Sequence, residues 1–261
     1  MQRELEALGL SDRTIFVFTS DHGEMAGAHG LRGKGAFAYE ETTHLPMYMT
    51  HPDVRGGQTC RALTSHIDFA PTLLALAGMD RARMGEAAGR ELPGRDFRGA
   101  LAAPASAGVN AVRESVLFTF SGLAQTDSNL MRVIAEGASA GKDVQTAIKE
   151  SGFKPDLRKR GSLRMVFDGR YKFTRYFSPL ERNRPNTLDE LYKWNEPELF
   201  DLRSDPREMK NLAMTQGVNE ALVLAMNGKL NAAIAAEMGK DDGREMPAVD
   251  GINWAVDRIE L

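Results

Sequence analysis

The run Thr14-Ile15-Phe16-Val17-Phe18-Thr19, broken off by Ser20-Asp21-His22-Gly23-Glu24, constrains the fold of this chain more than any other feature. Its residues are all β-branched or aromatic, too few for a stable helix, and they predict a strand buried on both faces, as parallel strands are. Residues 3–8 lead into it with Leu5 and Leu8 at helical spacing and Gly9 as a helix stop. A helix, a short turn and a buried strand form half of a β–α–β unit, so the expected class is α/β, entered in mid-pattern. A late strand without its parallel neighbours would present an open edge. The expectation is therefore self-association, or a partner such as an N-terminal half chain that covers the edge.

Further along, punctuation marks the remaining elements. Leu45–Met49 reads as a second short strand, closed by His51-Pro52. Asp68, Pro71 and Gly78 predict a helix over 69–77 with an aspartate cap. Residues 80–111 read as loop with short helical pieces and a turn at Pro93-Gly94. Val116–Phe120 is a strand candidate, and one helix is expected near 142–150 within a polar stretch. Met165–Tyr176 predicts a hairpin turning at Asp168-Gly169, Glu198–Leu202 another strand, and 219–238 an amphipathic helix. Strands followed by one covering helix predict a small α+β subdomain. The expected division is an α/β core over 1–100, a connecting region over 101–161 and the α+β subdomain over 162–261.

Composition excludes several function classes. The 33 basic and 36 acidic residues leave a net charge of −3, which argues against a nucleic-acid partner. The longest purely apolar run, Ala221–Met226, is six residues, whereas a membrane span needs about 20. The N-terminus lacks the layout of a signal peptide. Cys60 is the single cysteine, which excludes an internal disulfide and a cysteine-rich zinc module, and fits a reducing, cytoplasmic location.

In an open α/β sheet, ligands bind beyond the carboxyl ends of strands. Asp21 and His22 stand there, offering one hard oxygen and one imidazole nitrogen, a pairing suited to a divalent cation. The same stretch admits a plainer reading, since Asp21-x-x-Glu24 has the spacing of a helix capping box. His29 and Lys34 follow within a glycine-rich segment. Lys34, between Gly33 and Gly35, is placed either to reach an anion past bare backbone or to wave in solvent. Ammonium, metal and imidazole together describe a site for a tetrahedral oxyanion such as a sulfate or phosphate ester.

The run from Thr14 to Met47, with Asp21-His22-Gly23, Gly33-Lys34 and Tyr39-Glu40-Glu41 in order, resembles the C-terminal half of the sulfatase catalytic domain, within the alkaline-phosphatase-like superfamily. Thr64–Leu73, Asp168–Lys172, Glu198–Leu202, Asp205-Pro206-x-Glu208 and Asn211-Leu212 resemble later segments of that family. The resemblance covers roughly 1–80 and 162–213. It implies the C-terminal part of a sulfatase fold with a small α+β subdomain of antiparallel sheet plus helix. It implies Asp21 and His22 as metal ligands, His22 and Lys34 as substrate-binding groups, and Lys34 with His29 as catalytic residues. The cation implied is calcium, with magnesium or manganese as alternatives, and the substrate is a sulfate-ester small molecule. Histidine at position 22 is more typical of the choline-sulfatase and phosphonate-monoesterase branches. His44 is expected to pack structurally, and His51 and His66 to be surface or capping histidines.

The family's nucleophile is a formylglycine made from the Cys or Ser of Cys/Ser-x-Pro-x-Arg, and these 261 residues contain no such motif. Cys60 lies in Cys60-Arg61-Ala62-Leu63-Thr64. Ser204-Asp205-Pro206-Arg207-Glu208 comes nearest and lacks the final arginine. The expectation is a C-terminal sulfatase portion whose nucleophile lies elsewhere. A phosphonate monoester or phosphodiester hydrolase, and a silent anion-binding fragment, are the competing expectations.

Overall fold

Each glycine, proline and capping residue noted above acts locally, and most leave their mark in the computed structural model, which describes residues 1–122, 127–154 and 156–246. The chain forms two units, one of Met1–Lys34 with Tyr39–Val116, the other of Gly35–Ala38 with the residues from Leu117 onward. Residues 101–116 fall in the first unit.

In the first unit, α1 (Gln2–Ala7) stops at Leu8, and Gly9 takes the left-handed conformation at φ 63°. Strand β1 (Phe16–Thr19) follows, then the glycine-rich loop, α2 (Glu40–Thr43) and β2 (Met47–Thr50). Helices α3 (Phe69–Leu76), α4 (Arg81–Ala88) and α5 (Arg98–Ala102) complete it. β1 pairs antiparallel with β2, with Phe16 opposite Thr50 and Thr19 opposite Met47. Burial of β1 on both faces is not observed: Phe18 is 54% exposed and Tyr48, its partner on β2, 66%. A two-stranded ribbon has no central strand, so neither member is enclosed.

Asp68 also departs from expectation. It accepts no hydrogen bond as the cap of α3. Instead it is the third helical residue of a short 3₁₀ turn (His66–Asp68), where it and Ser65 form a reciprocal capping box. Its carboxylate, fully buried, takes the Arg95 N–H at 2.7 Å and a two-pronged contact from Arg113 at 2.9 and 2.5 Å. That buried pair ties α3 to the chain 45 residues on. Gly94 is required nearby, because a Cβ there would lie 1.8 Å from the Ile67 carbonyl oxygen.

The second unit contains β3 (Val116–Ser121, entered from the first unit), α6 (Ser128–Ser139), α7 (Val144–Ser151), β4 (Ser162–Phe167), β5 (Tyr171–Phe177), α8 (Leu188–Trp194), β6 (Asn195–Asp201) and α9 (Glu220–Glu237). The strands form one sheet in the order β3-β4-β5-β6, with β4–β5 and β5–β6 antiparallel. The hairpin turns where expected, with Gly169 at φ 92°. Its core joins Val166, Phe173 and Leu199 of the sheet to Val223, Met226, Leu230 and Ile234 of α9. Those α9 residues recur at three- and four-residue spacing, so one face of the helix covers the sheet. Ala38 packs with Leu163 and Met165 in a smaller cluster. Sequence reading expected one helix between 122 and 160; there are two among the described residues, α6 being capped by Asp127 and α7 by Asp143.

Candidate functional site

The loop after β1 is built by short backbone contacts rather than by a helix. Ser20 Oγ donates to the His22 carbonyl at 2.7 Å. The Gly23 N–H donates to the Thr42 carbonyl at 3.0 Å, and a Cβ on Gly23 would sit 1.8 Å from the Glu41 carbonyl oxygen. Only glycine allows that approach. Glu24 does not cap a helix; its carboxylate accepts from the Gly33 N–H at 2.6 Å, while Met25 N–H donates to the Gly33 carbonyl at 3.1 Å. Thr42 Oγ1 lies 3.3 Å from the Lys34 carbonyl and 3.2 Å from the buried Met25 sulfur. Residues 20–34 are thereby folded back on themselves and held by α2.

This folding brings Asp21, His22 and Lys34 together. His22 Nδ1 lies 2.8 Å from the Gly23 carbonyl, which can only accept, so Nδ1 carries the proton of that contact. Lys34 Nζ, 3.2 Å from His22 Nε2, is a donor only, which assigns the lone pair to Nε2. Asp21 Oδ2 lies 3.5 Å from the same Nε2. Two electron-pair donors and one ammonium thus meet on an open surface, with Asp21 85% exposed. Asp21's carboxyl lies below the usual carboxylate range, chiefly through its own backbone N–H, with the Lys34 ammonium adding positive charge and partial desolvation opposing.

His29 takes a different environment. Its backbone is left-handed, and its ring stacks on Tyr39 with centroids 3.9 Å apart and planes 10° from parallel. His44 does not pack as expected; its side chain is 76% exposed and pairs with Glu40 one turn back at 2.8 Å. His51 Nδ1 accepts the Asp53 N–H at 3.1 Å. The sequence gives no sign of Thr42's role, and the capping-box alternative for Glu24 does not hold, since each acts through partners 8 to 17 residues distant that no local spacing announces.

The Sulfatase family model matches residues 2–79, which contain the whole Asp21–His22–Lys34 cluster. Over these residues the chain is similar to the sulfatase family. The same segment is 42% identical over 77 residues to the N-acetylglucosamine-6-O-sulfatase of Bacteroides thetaiotaomicron, covering 29% of this chain and 14% of that protein. It is 40% identical over 75 residues to arylsulfatase K of Xenopus laevis, covering 29% of this chain and 14% of that protein. Beyond the segment, 92% of the chain superposes on 37% of a solved structure described in complex with its substrate D-glucosamine-2-N,6-O-disulfate, with TM-score 0.62 and 19% identity. The phosphonate monoester hydrolase of Agrobacterium radiobacter matches 90% of the chain over 38% of its own, with TM-score 0.60 and 22% identity. The likeness in fold covers most of the chain, and the chain spans well under half the length of the proteins it resembles.

Proposed function

We propose that this chain supplies the Asp21–His22–Lys34 part of a sulfuric ester hydrolase that depends on a divalent cation. The observation that carries the reading is the meeting of Asp21 Oδ2 and Lys34 Nζ at the same imidazole nitrogen, 3.5 and 3.2 Å from it. The donor set fits a hard divalent ion: an exposed carboxylate, and an imidazole whose other nitrogen is fixed by a backbone carbonyl, the usual support of a ligating histidine. Bound there, the cation would polarise a sulfate oxygen. Calcium suits the oxygen-rich set this family fold implies, with magnesium and manganese as alternatives.

The remaining chemistry falls to the chain's own groups. Gly23 and the Ser20 hydroxyl fix the His22 backbone, so the imidazole is aimed before substrate arrives. Lys34, held at its carbonyl by Thr42, offers an ammonium to the sulfate and to the leaving oxygen as that oxygen gains negative charge. His29, stacked on Tyr39, is assigned to the wall of the same site in this reading. The nucleophile is supplied from outside these 261 residues, because the sequence has no Cys/Ser-x-Pro-x-Arg. Histidine at position 22 favours phosphonate monoester or phosphodiester hydrolysis on the same scaffold as the second reading.

Two measurements test this. Titration of the chain with Ca²⁺, Mg²⁺ and Mn²⁺ should show weak binding that Asp21→Ala and His22→Ala both abolish; tight binding unaffected by either variant overturns the metal assignment. In the complete enzyme, Lys34→Ala should lower kcat and kcat/KM on an aryl sulfate together by about 10²–10³. A change in KM alone contradicts the role at the leaving oxygen, and faster turnover of a phosphonate ester than of the sulfate decides for the second reading.

A further inference from the structure

A strand at the end of a sheet offers its unpaired N–H and C=O groups to any chain that can meet them, and folded proteins blunt such edges with charge or proline. The ribbon of the first unit has two outer edges, and they differ. β2 is guarded: Pro46 stands immediately before Met47 and Pro52 two residues after Thr50, and proline supplies no N–H to a ladder. β1 has no such guard. From Thr14 to Ser20 there is neither proline nor charge, and among the described residues β1 pairs with β2 alone. Its exposed Phe18 faces Tyr48 across the ribbon with ring centroids 6.1 Å apart.

The order of residues in β1 says what fits that edge, because the segment matches itself when reversed about Val17. Two copies laid antiparallel with Val17 opposite Val17 set Phe16 against Phe18, Ile15 against Thr19 and Thr14 against Ser20. Opposed residues in an antiparallel pair share a face, so aromatic meets aromatic on one face and β-branched meets β-branched on the other. Tyr48 extends the aromatic row, since it already stands opposite Phe18 on β2. The same register reaches the charges that bound the segment. Arg13, the last residue of the 3₁₀ turn before β1 (Ser11–Arg13), comes opposite Asp21 of the other copy, at both ends of the pairing. Both side chains are exposed, and Arg13 forms no ion pair among the described residues. Sliding the register by one residue sets Asp21 against Asp12 or Thr14 instead, and the opposite charges no longer meet.

We propose that two copies of this chain join edge to edge along β1, antiparallel about Val17, into one four-stranded sheet of order β2-β1-β1-β2. The contact is isologous, the same surface on both copies, which is how closed dimers form. It also relieves the marginal stability of a lone two-stranded ribbon.

Sedimentation equilibrium of the full chain tests this, run with a chelator so that no cation competes for Asp21. A monomer–dimer equilibrium is expected. Arg13→Asp and Asp21→Arg each set like charges against each other at both ends, and each should raise the dimer Kd about tenfold or more. The double variant Arg13→Asp/Asp21→Arg restores opposite charges in the reversed sense and should return Kd to within about threefold of its starting value. These side chains are exposed, so the charge variants keep the fold. Phe18→Lys puts charge on the aromatic row and should leave the chain monomeric. Amide exchange in β1 should be fast in dilute solution and slow down as concentration rises. A monomer at concentrations up to about 1 mM overturns the inference, and that is the result expected if only an N-terminal half chain fits the edge. A dimer indifferent to both charge reversals, or a double variant as weak as the single ones, overturns it equally. Failure of the metal titration at Asp21 and His22 does not touch it.

Discussion

Gly23 is the residue on which the candidate site depends most directly. The Glu41 carbonyl occupies the space of any side chain there, 1.8 Å from where a Cβ would be. Gly23→Ala must push α2 away from the loop, at a cost of about 1–3 kcal/mol by analogy with overpacking. Thermal unfolding should register that loss, and the variant should also lose metal binding although Asp21 and His22 remain. A second residue-scale prediction concerns Asp201, which Arg170 grips with two bonds of 2.7 and 3.1 Å. The guanidinium, first among the causes, holds the Asp201 carboxyl down to about 2. A carboxylate depressed in the folded state adds stability above its unfolded pKa of about 4 and loses it as pH falls towards 2. NMR titration of Asp201 should give a midpoint near the lower value, and Arg170→Met should raise it to the ordinary range. A midpoint that does not move on removing Arg170 would falsify the assignment of the cause.

Elements differ in how they are held, and the difference predicts the size of mutational effects. α8 starts with a reciprocal box in which Thr187 and Glu190 each satisfy the other's backbone N–H. Thr187→Ala should cost about 1 kcal/mol, the usual loss for a cap. α9 is held by packing: Leu230, wholly buried, lies in the core with Phe173 and Leu199. Leu230→Ala should therefore cost about 2–5 kcal/mol, several times the cap. Denaturant unfolding of the two variants should rank them in that order. Elements with local signals were legible from the residues: the Asp168-Gly169 turn, the run of apolar positions in α9, the stop at Gly9. α6 and α8 were not anticipated, because their apolar stripes are short and their caps, Asp127 and Thr187, lie in polar stretches that read as loop.

For the chain as a whole, the two units should differ in local stability. The first unit's sheet is a two-stranded ribbon with Phe18 and Tyr48 exposed, and such ribbons are marginal by themselves. The second unit has a four-stranded sheet closed by an 18-residue helix over fully buried side chains. Hydrogen exchange should therefore be slowest in β4, β5 and α9 and fast in β1 and β2. Equal protection of both sheets would show that the ribbon is covered, by a second copy or by another chain, as the open-edge argument anticipates.

Residue order alone determined where β1, the Asp168-Gly169 hairpin and α9 lie, since period, glycine and proline act within a few positions. It also marked Asp21, His22 and Lys34 as candidates, because few residue types can serve a cation and an oxyanion together. Tertiary structure decided the rest. That β1 pairs antiparallel and half-exposed, that Asp68 serves Arg113 rather than α3, and that Thr42 holds Lys34 all depend on partners brought close only by folding. So does a buried pair of arginines: alternation along β4 and β5 gives no sign that Arg164 and Arg175 face each other inside the protein. Charges in sequence carry no record of burial, and burial is what makes a cationic residue depend on partners such as Asp241 for Arg164 or Asn227 and Asn231 for Arg175.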